Sequence, residues 1–425
     1  MCNKRKGQVV FGEVLYPLCI LALSLLLSAC GGQEAIFSPE NVQESAQSRT
    51  PDPKPERTPS PEPTFTPAPT AAPELTEEER LSLYIQNMSD AQKIGQLVMF
   101  GFEGNQAAEE SFVCFMEEYN VGNLFLSSHN ISDKMKDGGF SRCKEMLAAL
   151  EQAKQSDIPL LISIDEEGGS VRRFGWEKKT PNAATLGKNN DEGAAYTQFA
   201  GIGRGLLLAG VQMNLAPCLD IAKNPSASWL HYRMISGDAE VATKIGLVCV
   251  EGLQSAGCMS VVKHFPGHGA TNSNSHRGTP VVKKTLDMLL EYELLPFQAA
   301  VGAGVDGVMV THISYPNIDA EHISSMSPVL IDEILRGHMG FGGLVLSDDF
   351  LMAGLTTKYK ADEAAVQFIL AGGDIILCGS RLKMQKQIMD ALRAAVENGT
   401  ISQERLNESV ARILRAKIKY LELDI

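Results

Sequence analysis

From about residue 75 to the C-terminus, short apolar runs alternate with longer stretches whose apolar positions recur every three to four residues. The short runs read as buried strands and the longer periodic stretches as amphipathic helices. Eight segments fit the strand template: 94–101, 122–126, 159–165, 212–217, 259–264, 307–312, 343–347 and 374–377. Helical periodicity occupies 193–209, 240–256, 284–302 and 384–397, followed by a closing helix over 402–423. That last helix has Glu404 near its start and cations near its end, as a helix dipole favours. Strand and helix alternating in this way predict a parallel sheet, and eight strands predict an α/β fold of the (β/α)8 barrel type in one domain over 75–425. An open doubly wound sheet is the competing architecture.

A barrel assembles its active site from the C-terminal ends of its strands, so the runs should finish in polar groups. Five of the eight do. The third ends in Asp165-Glu166-Glu167-Gly168-Gly169 and the fourth in Pro217-Cys218-Leu219-Asp220. The fifth ends in Lys263-His264-Phe265-Pro266-Gly267-His268-Gly269, the sixth in Thr311-His312 and the seventh in Asp348-Asp349. Asp348 follows the apolar run directly, where a carboxylate is poised to attack an anomeric carbon as a glycosidase nucleophile. The competing role for such a residue is a helix N-cap, and Asp349 is the better candidate for it. The stretch from Lys263 to His276 holds one cation and three imidazoles amid Gly, Pro, Asn and Ser, the composition of an irregular functional loop. A metal held by His264, His268 and His276 is the alternative there. No acidic ligand stands at suitable spacing within the loop, so no metal is expected. The acidic turn after the third run offers carboxylates that accept hydrogen bonds in pairs, which suits sugar hydroxyls; a solvated turn is the plainer reading.

Composition narrows the partners. The formal charge of −13 leaves no basic footprint for nucleic acid. Lys4, Arg5 and Lys6 precede an apolar run over 18–27 that ends in Leu27-Ser28-Ala29-Cys30, a signal peptide over 1–29 whose last four residues resemble a bacterial lipobox. The expectation is lipid attachment at Cys30 and an extracytoplasmic protein held at the cell membrane; a transmembrane anchor is the alternative. Residues 30–74 are rich in Pro, Thr, Ser and Glu and read as an extended stalk. The six cysteines after Cys30 show no Cys-x-x-Cys pair, and those in apolar segments are expected to be buried thiols. No cofactor is expected.

Together these segments resemble glycoside hydrolase family 3, in particular its β-N-acetylglucosaminidases, over about residues 88–419. The carriers are Ile164-Asp165-Glu166-Glu167-Gly168-Gly169, the run from Lys263 to Gly269, Ser275-His276, and Ser347-Asp348-Asp349 followed by Met352. The resemblance implies Asp348 as nucleophile and His276 as general acid and then general base. It implies Asp165, Lys263, His264 and Arg233 as ligands of the sugar in the first subsite, with His268 in support. Histidine suits the acid role because its reference pKa of about 6.5 makes both protonation states accessible near neutrality. It also leaves the pocket less negative than Glu would, so an anion such as phosphate is a conceivable acceptor in place of water. The sequence departs from the family in having Asn274 two residues before the histidine, where an Asp is usual, and Ala270 in place of another. On this reading Asn274 orients the imidazole through its carbonyl but lacks the charge that stabilises imidazolium, which implies weaker activity or a lower working pH.

The expected function is a retaining exo-β-N-acetylglucosaminidase acting on wall-derived glycans. One alternative is a lipid-anchored sugar-binding protein that has lost turnover. Another is a related β-glucosidase, β-xylosidase or phosphorylase; the glucosidases and xylosidases generally draw their acid from a further domain, and the sequence ends at Ile425.

Overall fold

The structure is a computed structural model that describes residues 75–425 apart from 106, 132–138 and 175–179. The signal peptide, Cys30 and the stalk lie outside the described residues. Eight strands form the framework: β1 (Val98–Gly101), β2 (Asn123–Leu126), β3 (Leu161–Ile164), β4 (Met213–Asn214), β5 (Met259–Phe265), β6 (Gly307–Val310), β7 (Leu344–Ser347) and β8 (Ile376–Cys378). Each pairs in parallel with its neighbour in sequence, and β8 returns to β1 through Val98 opposite Ile376. The ring closes between β7 and β8 at a parallel bridge of Leu346 with Ile375, where Ser347 N donates to Ile375 O at 3.0 Å. The fold is the (β/α)8 barrel. Every residue of every strand is buried, because side chains fill the barrel inside while helices cover it outside. That is why the strands appear in the sequence as unbroken apolar runs.

Two expected elements differ. Residues 94–96 belong to the helix Asp90–Gln96, whose capping box joins Ser89 and Gln92. Ile94 is buried from that helix, so its apolar character did not distinguish helix from strand. The stretch 284–302 is broken into Leu286–Leu290 and Leu295–Gly302, with Pro296 at the start of the second helix, where its missing N–H costs nothing.

Polar clamps hold the barrel together. Lys417, on the closing helix Gln403–Leu421, is fully buried and donates to Gln96 Oε1, Gly122 O and Pro159 O at 2.6, 2.9 and 2.8 Å, joining that helix to the segments that enter β1, β2 and β3. Asp374, just before β8, takes Arg336 at 2.6 Å, Arg412 at 2.9 Å and the Val345 N–H at 2.9 Å. Burial raises the Asp374 pKa, but the Arg336, Arg412 and Arg405 guanidiniums outweigh it and hold the carboxyl below its ordinary value. Cys143, Cys218, Cys249, Cys258 and Cys378 are buried free thiols, and Cys114 is half-buried.

Candidate active site

The polar strand ends converge on a cavity of about 470 Å³ at the C-terminal mouth of the barrel. Asp165, Arg233, Lys263, His264, His276 and Asp348 all line it, over a floor of Phe125, Leu215, Met309 and Leu377 from the strands and their ends. A volume of this order is that of a small-ligand pocket.

Lys263 and His264 are adjacent on β5, and strict strand alternation would send them to opposite faces. Between Val262 and Phe265, however, β5 shifts register against β6, and both side chains reach the cavity. The loop beyond them turns on Gly267, at φ 126°, and passes so close to the fourth strand end that a Cβ on Gly269 would meet Ile221 O at 2.0 Å.

Lys263 Nζ lies 2.5 Å from Asp165 Oδ1 and 2.6 Å from Glu167 Oε1. Glu167 also takes a fork from Arg233, Nε at 2.9 Å and Nη2 at 2.7 Å, and Arg173 stands 3.7 Å from Asp165. Burial alone would raise the Glu167 pKa, but Arg233 and Lys263 hold it well below the carboxylate range. Burial works against the charge on Arg233 and Lys263 as well, yet their carboxylate partners raise both pKa values. All three therefore stay ionised, a fixed ring of donors and acceptors suited to sugar hydroxyls.

His264 is oriented from both sides. Arg233 Nη2 lies 3.2 Å from its Nε2, and since guanidinium can only donate, Nε2 accepts. The proton is then on Nδ1, which donates to Asp220 Oδ2 at 2.6 Å. Asp220 is fully buried and also takes the N–H of His268 at 2.5 Å and the Cys218 thiol at 3.2 Å. Among the described residues Cys218, Asp220 and His264 are the one trio close enough to share a metal ion. Burial pushes the Cys218 thiol far up, so it is a protonated donor to Asp220 and the trio reads as a hydrogen-bonded support. The three loop histidines that the sequence offered as a metal set do not converge: His264 turns to Asp220, and His268 Nε2 pairs with Ser275 Oγ at 2.8 Å. Burial lowers the His268 pKa to about 4, so it supports the loop as a neutral ring.

Asp348 follows β7 and is half-buried, with its N–H on Val310 O at 2.9 Å and its Oδ1 accepting the Asp349 N–H at 2.9 Å. Burial raises its pKa, but His264 and His312 outweigh this, so the group is ionised at neutral pH. It caps no helix. Nor does Asp349, contrary to expectation: the next helix, Ala353–Thr356, starts after Met352 without a side-chain cap. Instead Asp349 Oδ1 accepts from Leu351 N at 3.0 Å and Gly379 N at 2.9 Å, tying the ends of β7 and β8 together.

Burial raises the Asp349 pKa to about 6, with Asp348 and Asp165 adding to the rise beyond what its hydrogen bonds offset. A carboxyl whose folded pKa lies above its unfolded value weakens the fold as pH rises through about 4 to 6. Asp349→Asn keeps the acceptor oxygen and removes that charge. Its melting temperature at pH 8 is expected to exceed that of the wild type, and the gain should shrink through pH 6 and vanish below about pH 4. A gain independent of pH would contradict the assignment.

His276 is exposed at the rim. Its loop is fixed beneath it, where buried Ser275 accepts from Gly354 N at 2.7 Å and so joins the histidine loop to the segment after Asp348. Asn274 does not hold the imidazole as expected. Its Oδ1 accepts the backbone N–H of His276 at 2.9 Å, because a turn over 274–277 brings that N–H within reach first. The ring has no hydrogen bond to any described residue and stands 5.7 Å from the Trp229 ring at 81°.

Several site residues were passed over in the sequence: Glu167, Asp220, Arg173, Trp229, His312, and Ser127 to His129 at the end of β2. Glu167 and Asp220 were in quoted strand ends and needed only to be told from their neighbours. Ser127-Ser128-His129 follows an apolar run as the other strand ends do, but without a carboxylate to draw attention.

Comparison with known proteins places this geometry. The profile described as glycosyl hydrolase family 3 N terminal domain matches residues 90–416. β-Hexosaminidase A of Pseudoalteromonas piscicida is 32% identical over 328 residues, covering 72% of this chain and 54% of that protein. The β-hexosaminidase of Methylococcus capsulatus is 31% identical, over 73% of this chain and 89% of that one. The chain thus spans about half the length of the first relative and most of the second. Among solved structures, a family 3 β-N-acetylglucosaminidase from Paenibacillus superposes with a TM-score of 0.75 at 37% identity, covering 80% of this chain and 64% of that one. With the barrel, the site at its mouth and the matched profile in agreement, the chain belongs to glycosyl hydrolase family 3.

Proposed function

We propose that the protein is a retaining exo-β-N-acetylglucosaminidase that removes terminal GlcNAc from peptidoglycan-derived glycans. The observation that carries this reading is an ionised Asp348 and a His276 imidazole with no hydrogen bond to a described residue on one cavity with Lys263 and Arg233, which Glu167 holds in place. In the first step an Asp348 carboxylate oxygen attacks the anomeric carbon while imidazolium at His276 protonates the departing glycosidic oxygen. This leaves a glycosyl ester and a neutral histidine. In the second step the histidine takes a proton from the attacking water, and the ester bond breaks to free Asp348. The β-hexosaminidase names of two similar proteins support the sugar, and the wall-directed substrate rests on the N-terminal segment with its Cys30, which supports placement at the outer face of the cell membrane.

The test is a panel of aryl β-glycosides in phosphate buffer, scoring free sugar against sugar phosphate. Turnover of the N-acetylglucosaminide well above the glucoside and xyloside, with free sugar of retained β configuration as first product, is the expected result. Preference for the glucoside would overturn the sugar assignment, and sugar phosphate as main product would make the protein a phosphorylase.

A further inference from the structure

Among the described residues no polar contact fixes the His276 imidazole. Asn274 Oδ1 is occupied by the His276 backbone N–H, and Ser275 Oγ by His268. An exposed ring free to turn about two side-chain torsions would spend little time aimed at a departing oxygen, and misplacement of about 1 Å costs on the order of 10²-fold in rate. What defines the place of this ring is the Trp229 indole, 5.7 Å away at 81°. The same indole meets His268 at 5.2 Å and 74°, and the Arg233 guanidinium lies 5.9 Å from its ring.

The indole has a foundation of its own. Ala222, Leu230 and Met234 form a small buried cluster separate from the main core, and Trp229 packs against it. All four residues belong to the segment after β4 that also delivers Arg233 to the first subsite. Thus one segment presents a sugar ligand and, four residues earlier, an aromatic surface that touches the rim histidine from another loop. Aromatic rings favour this edge-to-face arrangement over others, so the indole selects a ring orientation on an otherwise free side chain.

We propose that Trp229 is a positioning residue for His276, holding the imidazole plane by an edge-to-face contact where no hydrogen bond from a described residue does so. The inference rests on the reading of His276 as the proton donor. Its distinguishing consequence is that loss of the indole harms only those substrates that need the donor.

The experiment measures kcat/KM, which reports the first chemical step, for aryl β-N-acetylglucosaminides whose phenols range from dinitrophenol to unsubstituted phenol. Wild type, Trp229→Ala, Trp229→Phe and His276→Gln are compared, with melting temperatures as a check on folding. For Trp229→Ala the expected loss is on the order of 10- to 10²-fold with phenol as leaving group and under about threefold with dinitrophenol. Trp229→Phe, which keeps an aromatic edge and face, should recover most of the loss. A loss of equal size on every substrate, or none on any, would overturn the proposal. A flat profile for His276→Gln would instead overturn the proton-donor reading, and the role of Trp229 would fall with it.

Discussion

Asp348→Ala is expected to lower kcat for an aryl β-N-acetylglucosaminide by about 10⁴- to 10⁶-fold, the range over which loss of a nucleophile leaves only binding and charge stabilisation. The loss should be the same for good and poor leaving groups, because attack at the anomeric carbon is common to both. This separates Asp348 from His276 and Trp229. Stability should hardly fall. Among the described residues the Asp348 carboxylate accepts a single hydrogen bond, from Asp349 N, so its removal strands little. Burial opposes its charge, and His264, His312, the Asp349 N–H and His276 offset the cost. Rapid quenching followed by mass measurement of the wild type should find a sugar-sized adduct on the peptide containing Asp348, absent in the variant. Residual turnover within tenfold of wild type would remove Asp348 from the nucleophile role.

The barrel was legible because its strands are buried on both faces and its chemistry gathers at one end. Unbroken apolar runs that stop at Asp165, Lys263, His312 or Asp348 are what those constraints look like in one dimension. Less legible was anything set by turn geometry. Whether Asn274 meets an imidazole or a peptide N–H depends on backbone angles over 274–277, which side-chain identity does not dictate. Asp165, Glu166 and Glu167 are adjacent carboxylates of similar chemistry, yet they face three ways. Glu166 is fully buried and accepts the N–H groups of Arg173 and Phe174 at 2.7 and 3.0 Å, Glu167 holds Arg233 and Lys263, and Asp165 faces the cavity. Strand alternation ends at Ile164, so periodicity could not rank them. Trp229 was invisible for another reason: its partner lies 47 residues away, in the loop after the next strand, and nothing near it in sequence signals the contact.

Glu167 carries the second large effect. It holds the buried Lys263 and the half-buried Arg233 at once, and Glu167→Gln conserves volume while removing the charge that compensates them. Gln offers one acceptor oxygen where the carboxylate offers two, and its amide N–H groups would face the guanidinium and ammonium donors. Breaking a buried ion cluster by removing one partner costs about 3–5 kcal/mol, because the remaining charges stay desolvated. A loss of that size at pH 7, read from urea unfolding, is expected, with weakened activity as Arg233 and Lys263 lose their aim at the sugar. The pH dependence gives the sharper test. The folded pKa of Glu167 lies below its ordinary value of 4.5, so its stabilisation is present above pH 4.5 and is lost as the pH falls below that. The gap between wild type and variant should therefore be widest near neutrality and close on acidification. Asp165→Asn makes a useful contrast, since Asp165 is partly exposed and the Lys263 ammonium it meets at 2.5 Å would keep Glu167 at 2.6 Å, so its cost should be smaller. A Glu167→Gln gap under about 1 kcal/mol at pH 7, or one unchanged between pH 7 and about pH 2, would mean that the cation ring is held by something other than this carboxylate.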